Sequence, residues 1–422
     1  MAQHPVRLIV SDDLHRSRLT VLLRLILAIP HFIWLWLWTI VAVVAAIVNW
    51  FATLIAGRSP QGLFNFLTAY LRYATHLGAY LTLAANPYPG FFGAPGYAVD
   101  AEFDGPETQR RWVTAFRLLL AIPAFMLAFA FEGSGAGFAA RHDEQFVVWS
   151  TGTLATVAFL AWFACLATGR MPHGFRDLQA YALRFLAQVG AYLLVLTDRY
   201  PDVDPAEPPT TGPDHPVRLS VTDDLRRSRL TVFFRLLLAL PHFVWLLLWT
   251  VAAFLAAIVN WFATLVTGRP PAALHRFLSA YIRYAYHVES YVALTANPFP
   301  GFTGRAGSYP VDPQLSPPER QSRLVTGFRI FLALPALLVS SGLSGVLFIA
   351  AFLGWFASLA LGRMPRSLRE AQAYALRYAA QTSAYLYLIT DRYPYSGTAL
   401  GEREPPALGE PEPPTVEAPE PV

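Results

Sequence analysis

The sequence predicts an all-α integral membrane protein made of four tandem repeats. Of its 422 residues 55% are hydrophobic and only 14% are charged, and long apolar segments recur along the chain. Soluble domains usually carry about 25% charged residues, so the composition indicates that much apolar surface faces lipid. The net charge of +4 is small and no lysine is present, and this balance gives no reason to expect a nucleic-acid partner.

Internal repetition is the strongest signal in the chain. Residues 4–91 and 215–302 share the words HPVRL, RSRLTV and VNWFATL, and such self-similarity indicates a duplicated unit. Each half divides again, because WFACLATGRMP and WFASLALGRMP echo the segment WFATLIAGRSP. The linker and the tail are proline-rich and acidic, which predicts an exposed linker and a disordered tail. The predicted divisions are repeat 1 (1–94), repeat 2 (95–201), the linker (202–214), repeat 3 (215–302), repeat 4 (303–395) and the tail (396–422).

Within each repeat the sequence predicts a transmembrane helical hairpin followed by an amphipathic interfacial helix. The apolar run from Leu19 to Gly57 is about twice the roughly 20 residues that cross a bilayer. One long helix or a hairpin would explain that length. Polar segments at Glu132–Gln145 and Ser340–Gly345 favour the hairpin, whose tip in repeat 1 would lie near Trp34–Trp38. Four such hairpins give about eight spanning helices.

The arginines predict where the third helix of each repeat lies. In repeat 1 this helix is Leu63–Asn86, and it follows a Gly-Arg-x-Pro turn in which glycine ends one helix and proline begins the next. Arginines cluster before each hairpin and after it. The positive-inside rule therefore places both ends of the hairpin in the cytoplasm and the third helix along the interface. The prediction is a multi-pass protein of a bacterial inner membrane with a cytoplasmic C-terminal tail, and twelve spans with inverted neighbours are the alternative.

A first candidate site comes from an arginine that precedes the same apolar word in every repeat, as in RLILAIP. A proline follows each arginine six residues later, so the word reads as a cationic anchor followed by a helix kink. Alternatively, the four guanidinium groups gather around a pseudo-fourfold centre and bind an anionic lipid headgroup or solute. The four residues are Arg24, Arg117, Arg235 and Arg329.

A second candidate site lies on the third helix of each repeat. There an arginine is followed four residues later by histidine or glutamine, and four-residue spacing places both side chains on one helix face. Such a face can bind phosphate, contact another protein surface or face water, and a tyrosine follows one turn later. The pairs are Arg72 and His76, Arg184 and Gln188, Arg283 and His287, and Arg377 and Gln381.

No motif in the chain predicts an enzyme, a metal site or a cofactor. Cys165 lies in an apolar segment and reads as a small buried hydrophobe rather than a nucleophile. The acidic pairs Asp12-Asp13 and Asp223-Asp224 follow His4 and His215, but no repeated histidine pair at ligand spacing supports a metal site, and each pair reads as a cap before a helix. The segment HPVRLIV near the N-terminus alternates apolar and polar residues over a short run and predicts a short strand.

The words R-L-x-L-A-I-P-H, W-F-A-x-L-x-x-G-R-x-P and A-Y-L-x-L-x-x-D-R-Y-P resemble a domain-of-unknown-function family of bacterial, often actinobacterial, integral membrane proteins. The resemblance covers nearly all of the chain except the linker and the tail. It implies a membrane location and tandem repetition, and it carries no activity and no catalytic residues. Repeats 2 and 4 depart from the pattern, since Ala124 and Ala336 replace the histidine after the proline.

Together these observations predict a non-enzymatic scaffold or lipid-interacting protein whose partners are anionic membrane lipids. A transporter or channel for a small anionic solute or lipid is the main alternative. A lipid-modifying enzyme is a third. The sequence leaves open whether the chain forms an oligomer and whether it has protein partners.

Overall fold

The computed structural model describes residues 4–133, 152–205 and 215–398. In this part of the chain each repeat contains a long apolar helical segment, called here the long helix, and a shorter helix that runs back beside it, called here the central helix. The long helices are α1 and α2 (Arg18–Leu27, Ile29–Ala56), α4 to α7 (Arg111–Ala115, Arg117–Leu120, Ile122–Glu132, Thr153–Thr168), α9 and α10 (Arg229–Phe233, Arg235–Thr267), and α12 (Arg323–Leu361). The central helices are α3 (Gln61–Leu81), α8 (His173–Leu193), α11 (Ala272–Val292) and α13 (Arg366–Leu386).

One antiparallel pair of short strands completes each half. The strand expected from HPVRLIV is confirmed as β1 (Val6–Val10), which pairs with β2 (Val99–Phe103). In the second half β3 (Arg218–Val221) pairs with β4 (Val311–Gln314). Each pair joins the start of one repeat to the connection that enters the next repeat.

The predicted transmembrane hairpin is wrong in repeats 1, 3 and 4. Trp34–Trp38 lies inside α2, and Ser340–Gly345 lies inside α12, which is continuous over 39 residues. The small residues of the second segment serve packing instead of a turn, because Gly342 lies directly against the backbone of Thr153. Three helices of the described part are long and apolar enough to cross a membrane, in place of the eight spans expected.

In repeat 2 the expected hairpin tip is the polar segment Glu132–Gln145, and from residue 134 onward it lies outside the described residues. On either side of it, Gly152 lies against the backbone of Glu132 and Gly133, so α6 and α7 meet there. Both helices also pack along α12. In the described residues, the end of α6 and the start of α7 therefore meet beside α12.

Glycine and proline set the helix ends as the sequence predicts. Gly57 ends α2 with a left-handed φ of 74°, and Pro60 stands at the N-cap of α3. The same φ region is found at the equivalent glycines of the other repeats, Gly169, Gly268 and Gly362. The proline of the repeated word interrupts the long helix at Ala28 and Ala121, whereas Pro241 and Pro335 lie inside continuous helices.

Within each half the two long helices are antiparallel and touch at both ends. Arg18, at the start of the first, donates to the carbonyl of Ala167 at the end of the second (2.9 Å). At the other end Trp50 Nε1 donates to the carbonyl of Thr114 (2.6 Å). The second half repeats both contacts, from Arg229 to Ala360 (2.9 Å) and from Trp261 to Thr326 (2.8 Å).

The elements form three layers, with the central helices in the middle. At mid-length of repeat 1, the Trp38 ring packs on Tyr73 of α3 with centroids 5.3 Å apart. On a different side of α3, Arg72 Nε donates to the carbonyl of Ala101 in β2 (3.0 Å). The central helices thus separate the long helices from the strands.

The expected linker and tail are described only where they begin. Tyr374 donates to the carbonyl of Ser396 (2.5 Å) and Thr398 is buried, so residues 396–398 pack against α13. Residues 206–214 of the linker and 399–422 of the tail lie outside the described residues.

Candidate functional site

The arginine of the repeated word is buried and bonded inside its own repeat. In repeat 1, Arg24 donates to the carbonyls of Tyr80 (2.5 Å) and Ala85 (3.1 Å), where α3 ends and the chain turns away. Its guanidinium also lies 4.3 Å from the centre of the Tyr80 ring. Burial lowers the pKa of Arg24 to about 10, so the group stays protonated at pH 7. A cation at a helix C-terminus is favourable because the last carbonyls lack helical partners.

The other three repeats build the same arginine clamp. Each guanidinium donates to two backbone carbonyls at the end of its own central helix and lies 4.4–4.7 Å from a tyrosine ring centre. Repeats 2 and 4 add a glutamine acceptor, Gln109 at 2.6 Å and Gln321 at 2.9 Å. The carbonyl acceptors belong to Tyr192 and Thr197 for Arg117, Tyr291 and Ala296 for Arg235, and Tyr385 and Thr390 for Arg329.

These four arginines do not form one centre. Arg24 lies near the Cys165 end of the second long helix, whereas Arg117 lies near its other end. About 30 helical residues separate Cys165 from Arg117, which corresponds to roughly 40 Å. The pseudo-fourfold arrangement is therefore wrong, because antiparallel packing puts successive clamps at opposite ends of the helices.

The second candidate face points at the strands and loops. In repeat 1, His76 Nε2 lies 2.7 Å from Asp100 Oδ1, and Arg72 approaches the same carboxylate at 3.5 Å. The other carboxylate oxygen accepts the N–H of Gly96 (2.7 Å). In repeat 3, His287 and Asp312 form the same pair at 2.6 Å, and Arg283 donates to the carbonyl of Pro313 (3.2 Å). Each carboxylate ties a strand to a central helix.

In repeats 2 and 4 the same face binds backbone groups. Gln188 donates to the carbonyl of Val6 (3.2 Å) and accepts the N–H of Asp202 (2.8 Å). Gln381 makes the corresponding bond to Val217 (3.0 Å). Arg184 donates to the carbonyl of Asp204 and Arg377 to that of Gly397. All four faces are thus engaged inside the protein, and the tyrosine one turn further belongs to the arginine clamp instead.

The Asp100 carboxylate makes the free energy of unfolding depend on pH. Burial alone would raise its pKa, but hydrogen bonds from His76 and the Gly96 N–H lower that pKa below the usual value. Because the folded pKa is the lower one, the stabilisation is present above the unfolded pKa of about 4 and is lost as pH falls through the folded pKa. We expect Asp100→Asn to cost on the order of 1–3 kcal/mol at pH 7 and to flatten the acid limb of the unfolding curve measured in detergent. The exposed Glu102→Gln is the control, and an equal acid limb in both variants would contradict the assignment.

Sequence reasoning missed several polar residues that the structure brings together. Asp100 and Asp312 are far along the chain from the helices they bind, and no local pattern marks them. His31 was visible as part of the word PHF, and its Nδ1 lies 2.8 Å from the Tyr73 hydroxyl while Phe91 stacks on the ring at 4.4 Å. The repeat 3 equivalents, His242, Tyr284 and Phe302, make the same contacts.

The aspartates near the N-terminus stabilise the loop before α1 and do not cap that helix. Asp12 pairs with the Arg16 guanidinium at 2.8 Å, and both side chains are nearly fully buried. Arg16 also donates to the carbonyl of Leu83. The predicted cap is therefore wrong, because the helix begins only at Arg18, with Ser17 at its N-cap. Among the described residues no group of three or more His, Cys, Asp or Glu side chains could hold a metal ion.

Apolar side chains are exposed along the outer surface of the long helices. Between Arg18 and Arg58 the sequence has one charged residue, Arg24, and it is buried. Repeats 3 and 4 follow the same rule, since Arg235 and Arg329 are the corresponding buried charges. Large apolar side chains are exposed along the whole segment, for example Leu19 (65%) near its start and Ile55 (75%) near its end. Exposed apolar surface of this extent marks an interaction site.

Exposed arginines, called here the rim arginines, stand at the two ends of every long helix. They lie beside the exposed apolar surface. They are Arg18, Arg58, Arg110, Arg111, Arg170, Arg226, Arg229, Arg269, Arg320, Arg323, Arg363 and Arg366.

One family model matches the chain four times, at residues 18–93, 145–202, 229–303 and 323–397, and it is described as Domain of unknown function (DUF4389). Each match contains a central helix and all or part of the long helix before it, and the strands lie outside the matches. Comparisons with curated proteins and with solved structures give no match. The four matches cover well over half of the sequence and repeat in tandem, as predicted. The chain therefore belongs to the family described as Domain of unknown function (DUF4389).

Proposed function

We propose that this chain is a non-enzymatic membrane protein that places its long helices in lipid and its rim arginines against anionic headgroups, and so acts as a lipid-organising scaffold. The main support is the 39-residue helix α12, whose only charged residues are Arg323 at its first position and the buried Arg329. Water would have to solvate all of that exposed apolar surface if no lipid or partner covered it. Lipid acyl chains cover such a surface at no comparable cost.

The rim arginines support the choice of anionic lipid. A Lys or Arg near an anionic membrane surface contributes about 1 kcal/mol, and twelve exposed arginines border the apolar surface. Several donate to helix-end carbonyls with one nitrogen, as Arg111 does to Ile55 (2.9 Å), and keep other N–H groups free for phosphate. In a bacterial cell, the same arginine bias would favour the cytoplasmic side.

The buried clamps weigh against the transporter or channel alternative. That alternative needs guanidinium groups that line a cavity and meet a passing anion. Instead, the terminal nitrogens of Arg24 and Arg235 donate to Tyr80, Ala85, Tyr291 and Ala296 of their own repeats. We therefore expect replacement of these two arginines to change stability and not the amount of bound lipid.

The test is flotation of the purified protein with vesicles. We expect strong binding to phosphatidylcholine vesicles that contain phosphatidylglycerol, and weaker, salt-insensitive binding to phosphatidylcholine alone. Replacing Arg58, Arg170, Arg269 and Arg363 together by glutamine should weaken the anionic component at least tenfold, since four contacts of about 1 kcal/mol are lost. Arg7→Gln removes one arginine of the strand layer, away from the apolar surface, and is the control for losing an arginine elsewhere on the protein. Equal binding of both variants to both vesicle types would refute the lipid-headgroup role.

A further inference from the structure

The long helices are poorly matched to a bilayer that they would cross. At 1.5 Å per residue, α12 is about 58 Å long, against a hydrocarbon thickness of about 30 Å. Fitting it across would need a tilt of roughly 60°, beyond the 0–40° range of spanning helices. Its exposed apolar residues run from Leu324 (75%) to Leu361 (60%), so apolar surface continues over the entire length.

The charges at the helix ends also disfavour a crossing. Because the long helices of one half are antiparallel, crossing would put Arg18 and Arg170 on one side of the membrane and Arg58, Arg110 and Arg111 on the other. Exposed arginines would then stand in similar number on both sides, against the cytoplasmic bias that basic loops show. If the helices lie along the membrane, all of these arginines face one side.

The strand layer gives the strongest argument. Arg7 pairs with Asp104 at 2.9 Å and lies near Glu102 at 3.9 Å, and all three side chains are about one third to one half exposed. They sit beside the middle of α3, at the level of Trp38, which marks the middle of the long helix. A spanning orientation would therefore hold exposed ion pairs at mid-depth in the hydrocarbon, where a charged side chain costs at least about 2.5–3.5 kcal/mol.

From these three observations we propose that the long helices lie lengthwise in a single leaflet, while the central helices and strands stand on the aqueous side. The occupant of the apolar surface is then the acyl-chain region of one leaflet, and the rim arginines contact the headgroups of that same leaflet. In this arrangement the described part of the chain enters the bilayer from one face and does not cross it. The proposal rests on the membrane location proposed above, and it replaces the multi-pass arrangement.

Depth measurement by spin labelling tests this arrangement. The background is Cys165→Thr, because the equivalent residues of repeats 1 and 3 are threonine (Thr53, Thr264). Single cysteines replace exposed residues along the repeat 1 long helix, and nitroxide accessibility to oxygen and to a water-soluble nickel complex is recorded in phosphatidylcholine–phosphatidylglycerol vesicles. The positions are Leu25, Ile33, Val44 and Ile55, which are 59–75% exposed, with Glu102 as the aqueous control.

We expect similar depths at all four positions, close beneath the headgroups, and an aqueous signal at Glu102→Cys. A profile in which Ile33→Cys and Val44→Cys are much deeper than the two end positions would overturn the lengthwise arrangement and leave the membrane location intact. Two results would overturn both proposals. If the labels are accessible neither to oxygen nor to the nickel complex, protein covers the apolar surface; if all of them are accessible to the nickel complex, water covers it.

Sidedness gives an independent check. Arg18→Cys and Arg58→Cys mark the two ends of the same long helix. Each variant is treated with an impermeant maleimide in intact cells of the expression host and again after lysis. We expect the two variants to behave alike: either both react in intact cells, or both react only after lysis. Reaction of one variant in intact cells and of the other only after lysis would mean that the helix crosses, and the proposal would fail.

Discussion

Replacing Arg235 by methionine should lower the free energy of unfolding by about 3 kcal/mol. The guanidinium donates to the carbonyls of Tyr291 (2.6 Å) and Ala296 (2.9 Å) and to the side-chain oxygen of Asn297 (3.1 Å). Hydrogen bonds to charged groups contribute about 1.5–3 kcal/mol each, and the Tyr291 carbonyl would keep only the N–H of Leu294 (3.1 Å). Methionine has similar length and no donor, so these acceptors lose the guanidinium while the apolar packing is largely kept.

The measurement is thermal and denaturant unfolding in one detergent, with Arg269→Met as the matched control. Arg269 is exposed at the far end of the same helix, so its loss should change stability by no more than about 0.5 kcal/mol. Arg235→Lys should fall between the two, because an ammonium group keeps the charge without the fork that reaches several acceptors. Equal stability of Arg235→Met and Arg269→Met would mean that the clamp contributes nothing.

The sequence identified the clamp arginines and could not have identified their acceptors. The bonds of Arg24 reach 56 and 61 residues along the chain. Their acceptors are backbone carbonyls, which carry no residue signature. The anchor interpretation is closer to the structure than the pseudo-fourfold one, although the anchor binds the protein itself and not phosphate. The decisive information is the antiparallel packing of the long helices, which a single sequence does not contain.

The helix boundaries show where local chemistry is sufficient. Gly57 and Pro60 predict the turn between a long helix and a central helix because each residue restricts its own backbone. The hairpin prediction failed because the length of an apolar run does not distinguish one long helix from two spans. It relied on polar segments in repeats 2 and 4, and in repeat 4 the small residues Ser340–Gly345 permit close packing on α7 and leave the helix intact.

The loop that follows each central helix in repeats 1 and 3 depends on a glycine for which no other residue fits. Gly304 has a φ of +57°, and a Cβ there would lie 2.0 Å from the carbonyl oxygen of Ala280 and 3.0 Å from the Cβ of Tyr284. Gly93 occupies the same place in repeat 1, at φ +61° and 2.1 Å from the carbonyl oxygen of Ala69. The obstructing atom belongs to the backbone of a central helix packed on both sides, so it cannot move aside cheaply.

We therefore expect Gly304→Ala to lower the free energy of unfolding by at least about 3 kcal/mol, since a left-handed backbone costs an alanine about 1–2 kcal/mol and the steric overlap adds to that. The loop carries Phe302, whose carbonyl accepts from Trp245 (3.0 Å) and whose ring stacks on His242 at 4.4 Å. Its displacement should also expose the loop to protease at temperatures where the wild-type chain resists. Gly301→Ala is the matched control, because nothing lies within 4 Å of a Cβ there and its φ is ordinary. If both alanine variants unfold at the same temperature and are cleaved at the same rate, the close approach of this loop to α11 is not what fixes its conformation.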